Sequence, residues 1–211
     1  MTTGFDAAAY SSDADYVALD PRARDVLDVW FGTPDSDEYG KDQKRWFRRN
    51  NAFDATLRER FGPVIDAALA HELDGWLATP LGSLALVIVL DQFMRNCRRH
   101  TARMYDGDAQ ALSITRRIIE EGSDVVLPTV YHRAFAYVPF EHDETIEGQR
   151  EGIRLYTLLE GEGLDPSYAR SAVRHAQIVE RFGRFPHRNA LLGRASSDEE
   201  IAFLREPGSS F

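Results

Sequence analysis

From Leu84 to Leu90 every residue is apolar, inside a run that reads PLGSLALVIVL from Pro80. A helix that is apolar on all sides has no face for water and is buried within its domain. The run is much shorter than the roughly 20 residues that a membrane span needs. Thr79 followed by Pro80 supplies the start signal, a capping side chain and then proline at the first helical position.

Around this rod the pattern is amphipathic and helical. Phe53, Leu57, Phe61, Ile65 and Leu69 recur every four residues, which predicts one stripe on a helix over 51–71. Gly62-Pro63 in its middle is expected to kink or split it. Asp20-Pro21 opens a helix that Gly32 stops. Residues 41–50 predict a short helix anchored by Trp46-Phe47. A helix over 108–121 gathers Ala111, Leu112, Thr115, Ile118 and Ile119 on one face. Pro128 opens the next helix and Pro139 closes it, and a further helix runs to about Glu160. Asp165-Pro166 opens one that reaches Phe182, where Gly183 and Pro186 end it. Ser196-Ser197-Asp198-Glu199 reads as a capping box for a last short helix.

No useful stretch alternates apolar and polar residues. The expected fold is therefore all-α, eight or nine helices in antiparallel pairs joined by short turns. The pattern predicts one domain over 20–206, a disordered acidic tail over 1–19, and a short C-terminal tail over 207–211. No strict repeat of about 34 residues is visible.

Composition narrows the function classes. The net charge is -9, which argues against a nucleic-acid partner, because backbone binding depends on clustered positive charge. The first residues lack the basic start and apolar stretch of a signal peptide, and no membrane segment follows. The reading is a soluble cytoplasmic protein. Cys97 is the single cysteine, so no disulfide framework or zinc cluster can be built. Only Lys41 and Lys44 are lysine among 25 basic residues. A GC-rich genome explains that bias, and so would arginines kept for bidentate binding of carboxylate or phosphate.

Three polar clusters interrupt the helical pattern. Asp91, Gln92, Arg95 and Asn96 arrive at the end of the buried rod, where polar groups need partners. Asp91 and Arg95, four apart, also fit a plain ion pair at a helix end. Glu141-His142 with Asp143 and Glu144 places a carboxylate beside an imidazole, as general acid–base chemistry needs; the acidic residues equally suit a helix N-terminus. Arg181 to Asn189 reads RFGRFPHRN, preceded by His175 and Glu180. It is either a loop with exposed arginines or a rigid positive rim for an anion. His132, His142, His175 and Glu141 match no metal-ligand spacing, so no metal is assigned.

Together LDQF at 90–93 with Arg95-Asn96, PFEH at 139–142 and RFGRFPHRN at 181–189 resemble an uncharacterised bacterial family, domain of unknown function 924. Trp46-Phe47 and Gly193-Arg194 with SSDEE agree. One departure is Met94, where the family usually has proline. The resemblance implies a tetratricopeptide-like superhelix of helix pairs and carries no activity with it.

The expected site gathers Asp91, Arg95, Asn96, His175, Arg184, His187 and Arg188 around a ligand, with Glu141 and His142 as an acid–base pair. The expected ligand is a small anionic metabolite. The other class kept open is a tetratricopeptide-like module that holds a peptide in a groove. The sequence names no cofactor and no oligomeric state.

Overall fold

Local signals place most helix boundaries. The computed structural model of the chain describes residues 12–210. Its helices are α1 (Ser12–Ala18), α2 (Pro21–Phe31), α3 (Asn51–Leu69), α4 (Pro80–Val87), α5 (Met94–Cys97), α6 (Asp108–Glu120), α7 (Val130–His142), α8 (Ile146–Gly161), α9 (Ser167–Phe182) and α10 (Asp198–Phe203). A π-helical segment, Ile88–Phe93, joins α4 to α5, so these three pieces form one continuous rod. The fold is all-α, with no strand among the described residues.

The caps are the ones the residues call for. The Asp20 carboxylate accepts from the Arg22 amide ahead of Pro21, and the Thr79 hydroxyl accepts from the Gly82 amide ahead of Pro80. Ser197 and Glu200 complete a reciprocal capping box. Gly183 ends α9 at φ +68°, left-handed backbone that glycine adopts without strain.

The rod is as buried as its composition demands: Leu84 through Leu90 are all 1% exposed or less. Consecutive helices pack against one another, α6 on α7, α7 on α8 and α8 on α9. An aromatic knot sits between α2, the rod and α7. Trp30 is fully buried there, with the rings of Trp46, Phe53, Phe93 and Phe135 all within 6.4 Å of it.

Several sequence expectations change. Residues 12–18 of the expected tail form α1, because Tyr16 has an acceptor in Asp28 (2.7 Å) and Asp15 receives the Leu81 amide (3.3 Å). Residues 1–11 of that tail lie outside the described residues, as does residue 211. Of the short C-terminal tail, Ser209 is buried and donates to the Leu204 carbonyl. Pro63 does not split α3; the carbonyl it leaves unpaired, that of Glu59, is on the exposed face, where water can serve it. Over 41–50 only a 3₁₀ turn forms, Lys44–Trp46. The Arg45 guanidinium and the Trp46 indole both donate to the Trp30 carbonyl and tie that turn to the end of α2.

His132 yields a pH prediction. It is buried against Phe31, ring centroids 3.9 Å apart, and burial pushes its pKa from the ordinary 6.5 down to about 3. Below pH 6.5 the unfolded chain takes a proton here that the folded chain refuses until about pH 3. Stability is therefore fully present above 6.5 and falls as the pH drops through that window. Urea titrations between pH 7 and 4 should show a shallower loss for His132→Phe than for the wild type. Parallel slopes would mean that His132 does not carry the effect.

Candidate functional site

The carboxyl end of the rod, the carboxyl end of α7, the middle of α9 and the turn after it converge on a cavity of about 600 Å³. The π-helical segment matters here. One wider turn inserted in a helix re-aims the residues that follow it, and such turns gather at functional sites. Gly107 packs against this turn so closely that a Cβ there would lie 2.2 Å from the Leu90 carbonyl oxygen. Met94 continues the helix, and its amide bonds the Asp91 carbonyl, a bond that proline could not make.

α7 runs through Pro139 instead of ending there, so Phe140, Glu141 and His142 form its last turn. Proline disturbs the carbonyls one turn back, and Thr115 donates to that of Ala136. Glu141 and His142 are thus neighbours on this turn and both line the cavity, with no hydrogen bond between them among the described residues. Each is matched to a residue far along the chain. His142 Nδ1 lies 2.7 Å from Asp91 Oδ2. His175 Nδ1 lies 2.9 Å from Glu141 Oε1 and 2.9 Å from the Ser171 carbonyl. The two imidazoles stand edge to face with centroids 6.3 Å apart.

The electrostatics identify the hydrogens. Burial works against a charged Asp91, but Arg95 and His142 outweigh it and hold the carboxyl at about 2. Burial also opposes a charged Glu141, yet His175 and Ser171 keep its pKa below the ordinary value. Burial and the Arg95 guanidinium lower His142, against the pull of Asp91. An ionised Asp91 can only accept, so a neutral His142 carries its proton on Nδ1 and its lone pair on Nε2. Nε2 has no partner among the described residues, and His142 lines the cavity. His187 is held at about 4, by burial first and then by Arg188.

Arginines surround these rings. Arg95 bridges Asp91 (3.0 Å) and Asp108 (2.8 Å). Arg188 donates to Asp108 (3.2 Å) and to the His142 carbonyl (2.8 Å). Arg48, Arg49, Arg99 and Arg174 complete the set that lines the cavity, whereas Glu141 is the one carboxylate on its wall among the described residues. Trp46, Phe47, Tyr105, Phe135, Tyr156, Tyr168 and Phe185 supply apolar surface. Arg48 and Arg49 also edge an open hollow with Lys44 and Arg45, so cations cluster at the mouth.

Of the residues expected at the site, Arg95, Asn96, Glu141, His142, His175, His187 and Arg188 line the cavity. Asp91 does not; it is fully buried behind His142 and serves the ring instead of a ligand. Arg184 is not among the residues that line the cavity. Its guanidinium faces away and is spent on Glu200 (2.7 Å) and the Ala195 carbonyl (2.8 Å), tying α10 to the turn. Asn96 donates to the buried Asp54, which also takes Arg99. Residues the sequence did not single out are Asp108, Tyr105 and Ser171. Asp108 was legible only as an acidic residue in a first helical turn, and nothing local marks the other two. Among the described residues no three His, Cys, Asp or Glu side chains are grouped to hold a metal ion.

The comparisons agree with this architecture. A family model described as bacterial protein of unknown function (DUF924) matches residues 26–208. A solved structure of a protein of unknown function from Agrobacterium tumefaciens is 39% identical, with a TM-score of 0.75, over 87% of this chain and 97% of that one. None of the curated proteins matches the sequence.

Proposed function

The chain belongs to the bacterial family DUF924, and from its own site geometry we propose that it binds a small organic anion in the cavity and acts on it with His142 as general base. The observation that carries this is the Asp91–His142 pair: a buried, ionised carboxylate fixes the tautomer of a neutral imidazole whose Nε2 faces an arginine-lined cavity. A base of that kind contributes roughly 10²–10⁴-fold to a proton transfer. The volume lies within the range of small-molecule sites, about 300–1,000 Å³. The aromatic walls suit a ligand with an apolar or ring-bearing body.

A thermal-shift screen of anionic metabolites is the direct test. A ligand present at about 100 times its Kd stabilises by roughly 2.7 kcal/mol. His142→Gln should keep most of that stabilisation and lose turnover of the ligand found. If no small anion stabilises the protein while extended peptides do, the groove-binding module is the better reading. The exposed Phe47 at the cavity mouth would then be its anchor.

A further inference from the structure

Glu141 stands on the cavity wall as a carboxylate whose two oxygens are used unequally. Oε1 accepts from the Ser171 hydroxyl (2.6 Å) and lies 2.9 Å from His175 Nδ1. No hydrogen bond of that kind reaches Oε2 among the described residues. The Tyr156 hydroxyl stands beside the carboxylate, but it gives its hydrogen to the Ala134 carbonyl (3.2 Å). A carboxylate oxygen has two lone pairs, so Oε2 keeps room for a donor. Nor is this oxygen sealed in. The buried polar atoms left without a partner include Arg188 Nε and Gln149 Oε1 but not Glu141 Oε2, which therefore keeps accessible surface. That surface opens on the cavity, which Glu141 lines. Arginine does not quench the charge. Arg95 and Arg188 are engaged by Asp108 and Arg99 by Asp54, while the ion-pair partner of Glu141 among the described residues is His175. A plain anion in this cavity would meet a like charge on the wall. A hydrogen-bond donor on the ligand turns that repulsion into a charge-assisted bond.

We propose that Glu141 Oε2 accepts a hydrogen bond from the ligand, and that the ligand is an organic acid that also carries a hydroxyl or amino group. The inference rests on the anion-binding reading above and narrows it. The cationic mouth (Arg48, Arg49, Arg174) attracts the acid group, and the aromatic walls take the apolar body. Glu141 then selects for the donor. A site built around a buried acceptor rejects the analogue that leaves that acceptor unpaired. Glu141 acts here through ligand selection, while the proton transfer stays with His142. Glutamine at this position would reverse the preference. Its oxygen must face Ser171 and His175, because both donate, and its NH₂ group would then face the cavity in place of an acceptor.

The test uses four aromatic acids as probes, by calorimetry on the full chain. They are 3-phenylpropionate, phenyllactate, phenylalanine and 3-(4-hydroxyphenyl)propionate. The last three differ from the first by one hydroxyl or amino group. At least one of them should bind about tenfold or more tightly than 3-phenylpropionate, the usual worth of a hydrogen bond to a charged group. Which one does so separates an amino from a hydroxyl donor. Glu141→Gln should erase that advantage and bind 3-phenylpropionate as well as the wild type or better, since the like charge is gone. If 3-phenylpropionate binds the wild type as tightly as the other three, the inference is overturned while the anion-binding reading stands. That comparison needs no variant. The inference also falls if the advantage survives in Glu141→Gln, or if that variant weakens all four probes alike, which would make Glu141 a structural brace. If none of the four binds the wild type, the anion-binding reading fails and this inference with it.

Discussion

Asp91→Ala should destabilise the protein by about 3–5 kcal/mol, the usual cost of removing one partner from a buried ion pair. The side chain is wholly buried and takes three partners: His142 at 2.7 Å, Arg95 at 3.0 Å and Gln92 at 2.6 Å. Its loss leaves the Arg95 charge with Asp108 alone and frees the His142 ring to turn. Asp91→Asn keeps the shape and should cost less, but it changes the chemistry. An amide can donate to Nδ1, which would move the proton to Nε2 and take the lone pair out of the cavity. Urea unfolding measures the first effect, and ¹⁵N chemical shifts of the imidazole measure the second. A loss under about 1 kcal/mol for Asp91→Ala would show that the network does not hold this end of the rod. An unchanged tautomer in Asp91→Asn would remove Asp91 as the orienting group.

The second large effect is Phe185→Ala, expected at about 3–5 kcal/mol for a fully buried phenylalanine. Phe185 is 0% exposed and packs its ring on His175 (5.6 Å) and under the Arg188 guanidinium (4.8 Å). From the sequence, Arg188→Lys would be expected to spare the free protein, as a rim arginine would. The tertiary contacts reverse that expectation. Arg188 is buried and joins the turn to α6 and α7 through Asp108 and the His142 carbonyl. A lysine cannot reach both with a fixed fork, and about 1–3 kcal/mol should be lost through the partner left unpaired. Chemical denaturation should therefore rank Phe185→Ala above Arg188→Lys. If Arg188→Lys is as stable as the wild type, the arginine is no brace and its role lies with the ligand alone.

The helices could be read from the chain because their signals act over three or four residues. Asp20-Pro21, Thr79-Pro80, Gly32, Gly183 and the serine–glutamate box each mark a boundary that their own backbone neighbours enforce. The all-apolar run at Leu84–Leu90 required burial whatever surrounded it. The three polar clusters were visible for the same reason, since polar groups at the end of a buried rod must find partners. Who those partners are was not a local matter. Asp91 chose His142 across 51 residues and Glu141 chose His175 across 34, while Glu141 and His142, adjacent in sequence, took separate partners. Arg184 and Arg188 share one motif, yet α10 claimed the first and α6 the second. Ion pairs and hydrogen bonds form between whatever groups the packing of distant helices brings within about 3 Å, and no pattern along the chain encodes that distance. By itself the sequence determined the helices, the buried rod and the family; the tertiary structure alone decided which carboxylate serves which imidazole, and hence which nitrogen faces the cavity.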